Sequence, residues 1–277
     1  MDADAGSPSA TLSGRGLHSG RAAEVKLVRT SPSDPVVFRT SQGDASLSEL
    51  EIVRADQGVR VRATRTGLDV DGVEHLLAAL GGLSIRSGIA LRVDGGELPL
   101  LDGAALAFAR ALMGLGPSTG APNVRVARAG TVRVGASSYV FSPGKTMVLD
   151  AEIAFAAPRI GVQRARWYGD AETFVCDLAW ARTFGFRRDA ARLGAAGRGL
   201  GADPRSVMVL EDDGRVAPPG APARPDEFAR HKLLDLIGDL YLFGGPPRGH
   251  VRAHRPGHAA THRAMREALE RGIVVKA

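Results

Sequence analysis

Apolar positions along this chain repeat with two different periods, and each change of period marks a change of element. Alternation of apolar and polar residues predicts strands around 25–27 and 36–38. An i, i+3, i+4 pattern predicts a helix over 73–83; a strand follows at 89–93 and a second helix at 104–115. Residues 116–122, Gly-Pro-Ser-Thr-Gly-Ala-Pro, interrupt the pattern and form a linker. Beyond it the alternation returns at 124–134, 139–142 and 147–155. Helices are then expected at 172–182, 226–242 and 258–271, with a strand at 250–253 and a proline-rich surface loop at 217–225. The expected class is α+β, with an N-terminal domain over 1–118 and a C-terminal domain over 122–277.

The two halves echo each other. LLAALGGL at 76–83 is similar to LLDLIGDL at 233–240, and each is followed by a strand and then a helix. Two copies of one α+β unit explain that order, and the two helices would then meet at a pseudo-symmetric interface. Clefts at such interfaces are common places for a ligand.

One helix breaks its own pattern. His231, Asp235 and Asp239 lie four residues apart and therefore on one face of a helix that is otherwise apolar. Burying such a stripe requires a partner for each group. A divalent cation is one such partner, because His and Asp at i and i+4 can ligate one ion; a solvated polar face is the alternative. If the halves are related as above, the first helix brings Glu74 and His75 to the same region. Two imidazoles and one carboxylate, from His75, His231 and Asp235, leave a tetrahedral zinc with an open position. Glu74 is then placed to take a proton from water, or is simply a first-turn carboxylate that suits the helix dipole. His258, on a turn after Arg-Pro-Gly, can point into a cleft or into solvent. His18, His250, His254 and His262 have no spacing that demands a metal.

Composition narrows the classes. The net charge is +6, but among 36 basic residues only Lys26, Lys145, Lys232 and Lys276 are lysines, and the arginines are scattered. That is no phosphate-tracking surface, so nucleic acid is not an expected partner, although the field would steer an anionic small molecule. No apolar run is long enough to span a bilayer, and the first residues do not form a signal peptide; cytoplasmic residence without membrane insertion is expected. The single cysteine, Cys176, excludes an internal disulfide and is expected to be a buried thiol.

Several blocks together resemble the zinc-dependent UDP-3-O-acyl-N-acetylglucosamine deacetylases of lipid A biosynthesis. They are GRGLHSG (14–20), VEHLLAALGGL (73–83), ELPLLDG (97–103), ARTFGF (181–186), residues 226–240 including EFARHKLLDLIGD, and GHA (257–259). Their order fits from about Leu12 to Leu269. The resemblance implies two similar two-layer α/β sandwich domains with the active site between them. It implies His75, His231 and Asp235 as ligands of zinc, or of ferrous iron, and Glu74 as general base. It implies His258 as the acid or cation beside the leaving amine, Asp239 as the group that orients it, and Thr183 as an oxyanion donor. Lys232, Phe184, Phe186 and His18 would contact a UDP-linked acylated amino sugar, and residues 154–168 stand where the family holds the acyl chain. A monomer is expected. Two segments depart from the family: 59–72 lacks its threonine–cysteine stretch, and 199–206 is shortened and lacks its glycine–serine pair. A related deacylase on another nucleotide sugar, and a non-catalytic nucleotide-sugar-binding regulator, are the alternatives.

Overall fold

The computed structural model describes residues 6–217, 222 and 224–277, so most of the loop expected at 217–225 lies outside the described residues. The first half begins with β1 (Ser9–Arg15), β2 (Ala22–Arg29), β3 (Val37–Thr40) and β4 (Gly43–Ser46). A separate three-stranded sheet follows: β5 (Glu51–Arg54), β6 (Arg60–Ala63) and β7 (Leu68–Asp71). Then come α1 (Glu74–Gly82), β8 (Ile85–Ser87), β9 (Ile89–Asp94) and α2 (Leu106–Leu115). The connection to the second half includes β10 (Ser118–Thr119), which pairs back onto β8.

The second half repeats the plan. After β11 (Val124–Val126) come β12 (Gly130–Val134), β13 (Ser137–Ser142), β14 (Met147–Ala154) and β15 (Val162–Trp167). There follow α3 (Ala171–Asp177), β16 (Phe184–Phe186), α4 (Ala190–Ala195) and β17 (Met208–Leu210). Last are α5 (Glu227–Tyr241), β18 (Gly249–His254), α6 (His258–Glu270) and β19 (Val274–Lys276), which pairs with β11.

The main sheets have orders β1-β2-β9-β3-β4 and β12-β13-β18-β14-β15. In both, the strand made last enters the middle, antiparallel to one neighbour and parallel to the other: β9 beside β2 and β3, β18 beside β13 and β14. This is one topology built twice. Alternation sets the faces: Leu149, Ala151 and Ile153 of β14 are buried, while Asp150 and Glu152 face outward. The first half inserts β5–β7 ahead of α1; the second inserts the segment from β16 to β17 ahead of α5.

Helices α1 and α5 pack against each other across the middle of the molecule. Two glycines at equivalent positions of the repeat make the crossing close. A Cβ at Gly238 would stand 2.2 Å from the Glu74 carbonyl oxygen, and one at Gly81 2.9 Å from Ile237 Cγ2. Gly238→Ala must therefore move helix backbone, and we expect it to cost about 1–3 kcal/mol. Gly81→Ala is crowded mainly by the Ile237 side chain, with the backbone at ordinary contact distance, and should cost less. Urea unfolding of the two variants measures the difference, and equal midpoints would contradict this account of the crossing.

The structure corrects several sequence expectations. The helix expected over 172–182 stops at Asp177, because the residues after it are drawn into tertiary bonds described below. The strand expected over 124–134 is two strands, β11 and β12, paired with different partners. Cys176 is exposed, not buried: of α3 only Phe174 is fully buried, and Cys176 lies on the exposed side.

Candidate active site

The site is built where α1, α5 and the start of α6 converge. Glu74 and His75 form the first turn of α1, and both are buried. His231 and Asp235 stack one turn apart on α5, also buried. One donor atom from each of His75, His231 and Asp235 lies within 4.8 Å of the others, and no other such group of three occurs among the described residues. Asp235 Oδ1 is 3.4 Å from His231 Nε2 and 3.8 Å from His75 Nε2, and it has no hydrogen-bond partner among the described residues.

That orphaned oxygen fits a cation. A buried carboxylate oxygen without a donor is costly, whereas a divalent ion among three such atoms satisfies it. The imidazoles are in the right state. His231 Nδ1–H donates to the Ala181 carbonyl at 3.0 Å, which leaves the Nε2 lone pair toward Asp235. Burial, and then the neighbouring His231, push His75 down to about 3, so it is neutral at physiological pH. Burial likewise lowers His231. Burial opposes ionisation of Asp235, but His231, Lys232 and His258 outweigh it and hold the carboxyl well below its usual range.

Glu74 is the adjacent carboxylate. Its Oε2 accepts the Val59 backbone N–H at 2.9 Å, and burial raises its pKa against the opposing charge of His258. Across the site, His258 Nδ1–H donates to Asp239, 2.9 Å from Oδ1 and 3.1 Å from Oδ2, while its Nε2 faces Asp235 Oδ2 at 3.8 Å. Burial would lower His258, but Asp239 and Asp235 prevail and raise it to about 9. Lys232 Nζ donates to Asp235 Oδ2 at 2.7 Å, and Asp235 raises it despite burial. A carboxyl raised by burial and an imidazole raised by carboxylates thus stand beside three ligand-type atoms.

These groups line a cavity of about 850 Å³. Thr183 is on its wall, fixed by its backbone N–H to the Gly103 carbonyl at 2.7 Å and its own carbonyl to Met208 N–H. Phe184 stands edge-on to His231, with ring centroids 6.0 Å apart, and packs on Phe155, which also touches Phe186. His18 also lines the cavity, its Nε2 2.8 Å from the Gln57 carbonyl and 2.9 Å from Arg198 Nη2. All eleven residues singled out from the sequence are brought to this one region.

Two features differ from expectation. Of residues 154–168, only Phe155 reaches the cavity; β15 is an edge strand paired to β14, with Val162 exposed and Trp167 in the core. The apolar wall comes instead from the segment running from β16 into β17, with Leu193, Leu200, Val207 and Val209. Leu200 N–H donates to the His18 carbonyl and Gly201 N–H to that of Leu17, so this segment rests on the first half. The second feature is His262, which has no spacing that demands a metal. It is buried with Nε2 3.0 Å from Asp239 Oδ1. The signal was present: His258 and His262 are four apart on α6, facing Asp235 and Asp239, four apart on α5.

Similarity to known proteins extends over nearly the whole chain. The family model for UDP-3-O-acyl N-acetylglycosamine deacetylase matches residues 7–270. The UDP-3-O-acyl-N-acetylglucosamine deacetylase of Brucella melitensis biotype 2 (strain ATCC 23457) is 34% identical over 268 residues, covering 94% of this chain and 92% of the relative. The enzymes of that name from Brucella ovis and from Brucella abortus (strain S19) match with the same identity and coverage. Among the described residues, no helix is long and apolar enough to cross a membrane.

Proposed function

This chain belongs to the UDP-3-O-acyl N-acetylglycosamine deacetylase family, and from that membership we propose a metal-dependent hydrolase that removes acetate from UDP-3-O-acyl-N-acetylglucosamine in lipid A biosynthesis. The observation that carries the reading is Asp235 Oδ1, a buried oxygen unsatisfied among the described residues, facing two neutral imidazole nitrogens beside a buried glutamate. His75, His231 and Asp235 would hold zinc, which when bound polarises the amide carbonyl and acidifies water.

The chain's own groups supply the rest. Glu74, held by Val59 N–H, accepts the proton of the attacking water. The Thr183 hydroxyl, on a backbone fixed at both its N–H and its carbonyl, donates to the oxygen on which negative charge develops. His258, oriented by Asp239, gives a proton to the departing amine. Lys232 and His18 contact the sugar nucleotide, and the phenylalanine wall formed by Phe184 and Phe186 receives the acyl group.

The test is acetate release. Purified protein carrying about one zinc should release acetate from UDP-3-O-acyl-N-acetylglucosamine, lose that activity on chelation, and regain it with zinc. Release from a different acylated nucleotide sugar only, or no release from a zinc-replete protein, would overturn the substrate assignment.

A further inference from the structure

A buried ion pair outside the reacting groups ties two of them together. Glu227 is in the first turn of α5, where a carboxylate usually faces water and meets the helix dipole; here it is fully buried. It takes hold of Arg182 at both backbone and side chain. The Arg182 backbone N–H donates to Glu227 Oε1 at 3.1 Å, Nε donates to the same oxygen at 3.0 Å, and Nη2 reaches Oε2 at 3.4 Å. Replacing a buried ion pair by apolar side chains is often neutral or stabilising, so stability alone does not account for this one.

Its position does. The residue before Arg182 is Ala181, whose carbonyl receives the His231 Nδ1–H. The residue after it is Thr183, on the cavity wall. His231 itself lies one helical turn beyond Glu227. A closed ring of contacts results: Glu227 to Arg182, along the backbone to Ala181, across to His231, and back down α5 to Glu227. This ring also explains why the helix begun at Ala171 ends early, since residues 178–183 are held away from helical geometry.

Resting on the metal reading above, we propose that Arg182 and Glu227 are positioning residues for the metal site. They hold the Ala181 carbonyl where it fixes the tautomer and orientation of His231, and they set the Thr183 backbone. Groups that orient a metal-ligating histidine are worth ~10–100-fold in metal affinity or activity.

The test uses the full chain and zinc, read by competition with a chromogenic chelator. The double variant Arg182→Met/Glu227→Met keeps the buried volume without the charges, and should fold with a melting midpoint close to that of the wild type. Its zinc affinity should nevertheless fall ~10–100-fold, and the 15N signals of the His231 ring should show loss of the single Nδ1–H tautomer. Glu227→Gln keeps an acceptor for the Arg182 backbone N–H and should recover part of the affinity. It also carries the test if the double variant fails to fold: an affinity equal to wild type would then overturn the proposal. So would a folded double variant within twofold of wild-type affinity and an unchanged His231 spectrum. A wild-type protein that binds no zinc would instead overturn the reading of the site itself.

Discussion

Alanine at His75, His231 or Asp235 should leave a protein that no longer retains zinc through dialysis and no longer releases acetate. With three protein donors, loss of any one leaves two, and the penalty should exceed the ~10–100-fold that follows loss of an orienting partner. The variants should differ in stability. His75→Ala removes a neutral ring, whereas Asp235→Ala removes the acceptor of Lys232 Nζ and leaves a mostly buried ammonium unpaired. Asp235→Ala should therefore melt below His75→Ala in the absence of metal. Elemental analysis after dialysis checks the first expectation and thermal unfolding the second. Stoichiometric zinc in any one variant would remove that residue from the ligand set.

Glu74→Ala and His258→Ala should behave in the opposite way, folding and keeping zinc while losing ~10²–10⁴-fold in turnover, the range for a positioned proton-transfer group. The wild-type rate should be bell-shaped in pH. Glu74 is needed deprotonated, so the rate rises as pH passes its pKa, which burial holds above the ordinary carboxylate range. His258 is needed protonated, so the rate falls as pH passes its pKa, raised to about 9 by Asp239 and Asp235 in the metal-free protein. A bound cation favours the less protonated form of each group, so both limbs should lie lower in the zinc-loaded enzyme. The apparent values belong to the coupled site. Glu74→Ala should flatten the acidic limb and His258→Ala the basic one. Near-normal acetate release by zinc-replete Glu74→Ala would sink the general-base assignment.

The helices at the centre of the site were legible because their patterns were strong. The 3.6-residue period over 73–83 and 226–242 placed α1 and α5 within a residue or so at each end, and the i, i+4 stripe of His231, Asp235 and Asp239 showed which face mattered. The repeat LLAALGGL/LLDLIGDL anticipated the duplicated topology. What escaped was set by distant partners rather than by local period. Residues 178–182 have helical pattern and are not helix, because Glu227, 45 residues away, binds Arg182. The cavity wall between β16 and β17 has too few apolar residues in register to announce itself, and its place follows from backbone bonds to residues 17 and 18. Cys176 shows the reverse error: an apolar-looking run on a helix too short to bury more than one side chain.

The central strands β9 and β18 carry a consequence for how the chain reaches its native state. Each joins neighbours made much earlier: β9 pairs with β2, about 60–70 residues back, and β18 with β13, more than 100 residues back. Neither sheet can close until its last strand arrives and slides between two hairpins already formed. Such long-range closure raises contact order and slows folding relative to a chain of successive hairpins. As the chain emerges from the ribosome, the second sheet stays open along its middle until residues 249–254 are free, with the unpaired edges of β13 and β14 exposed meanwhile. Loss of the C-terminal thirty or so residues would therefore remove the keystone of a sheet, not a peripheral tail.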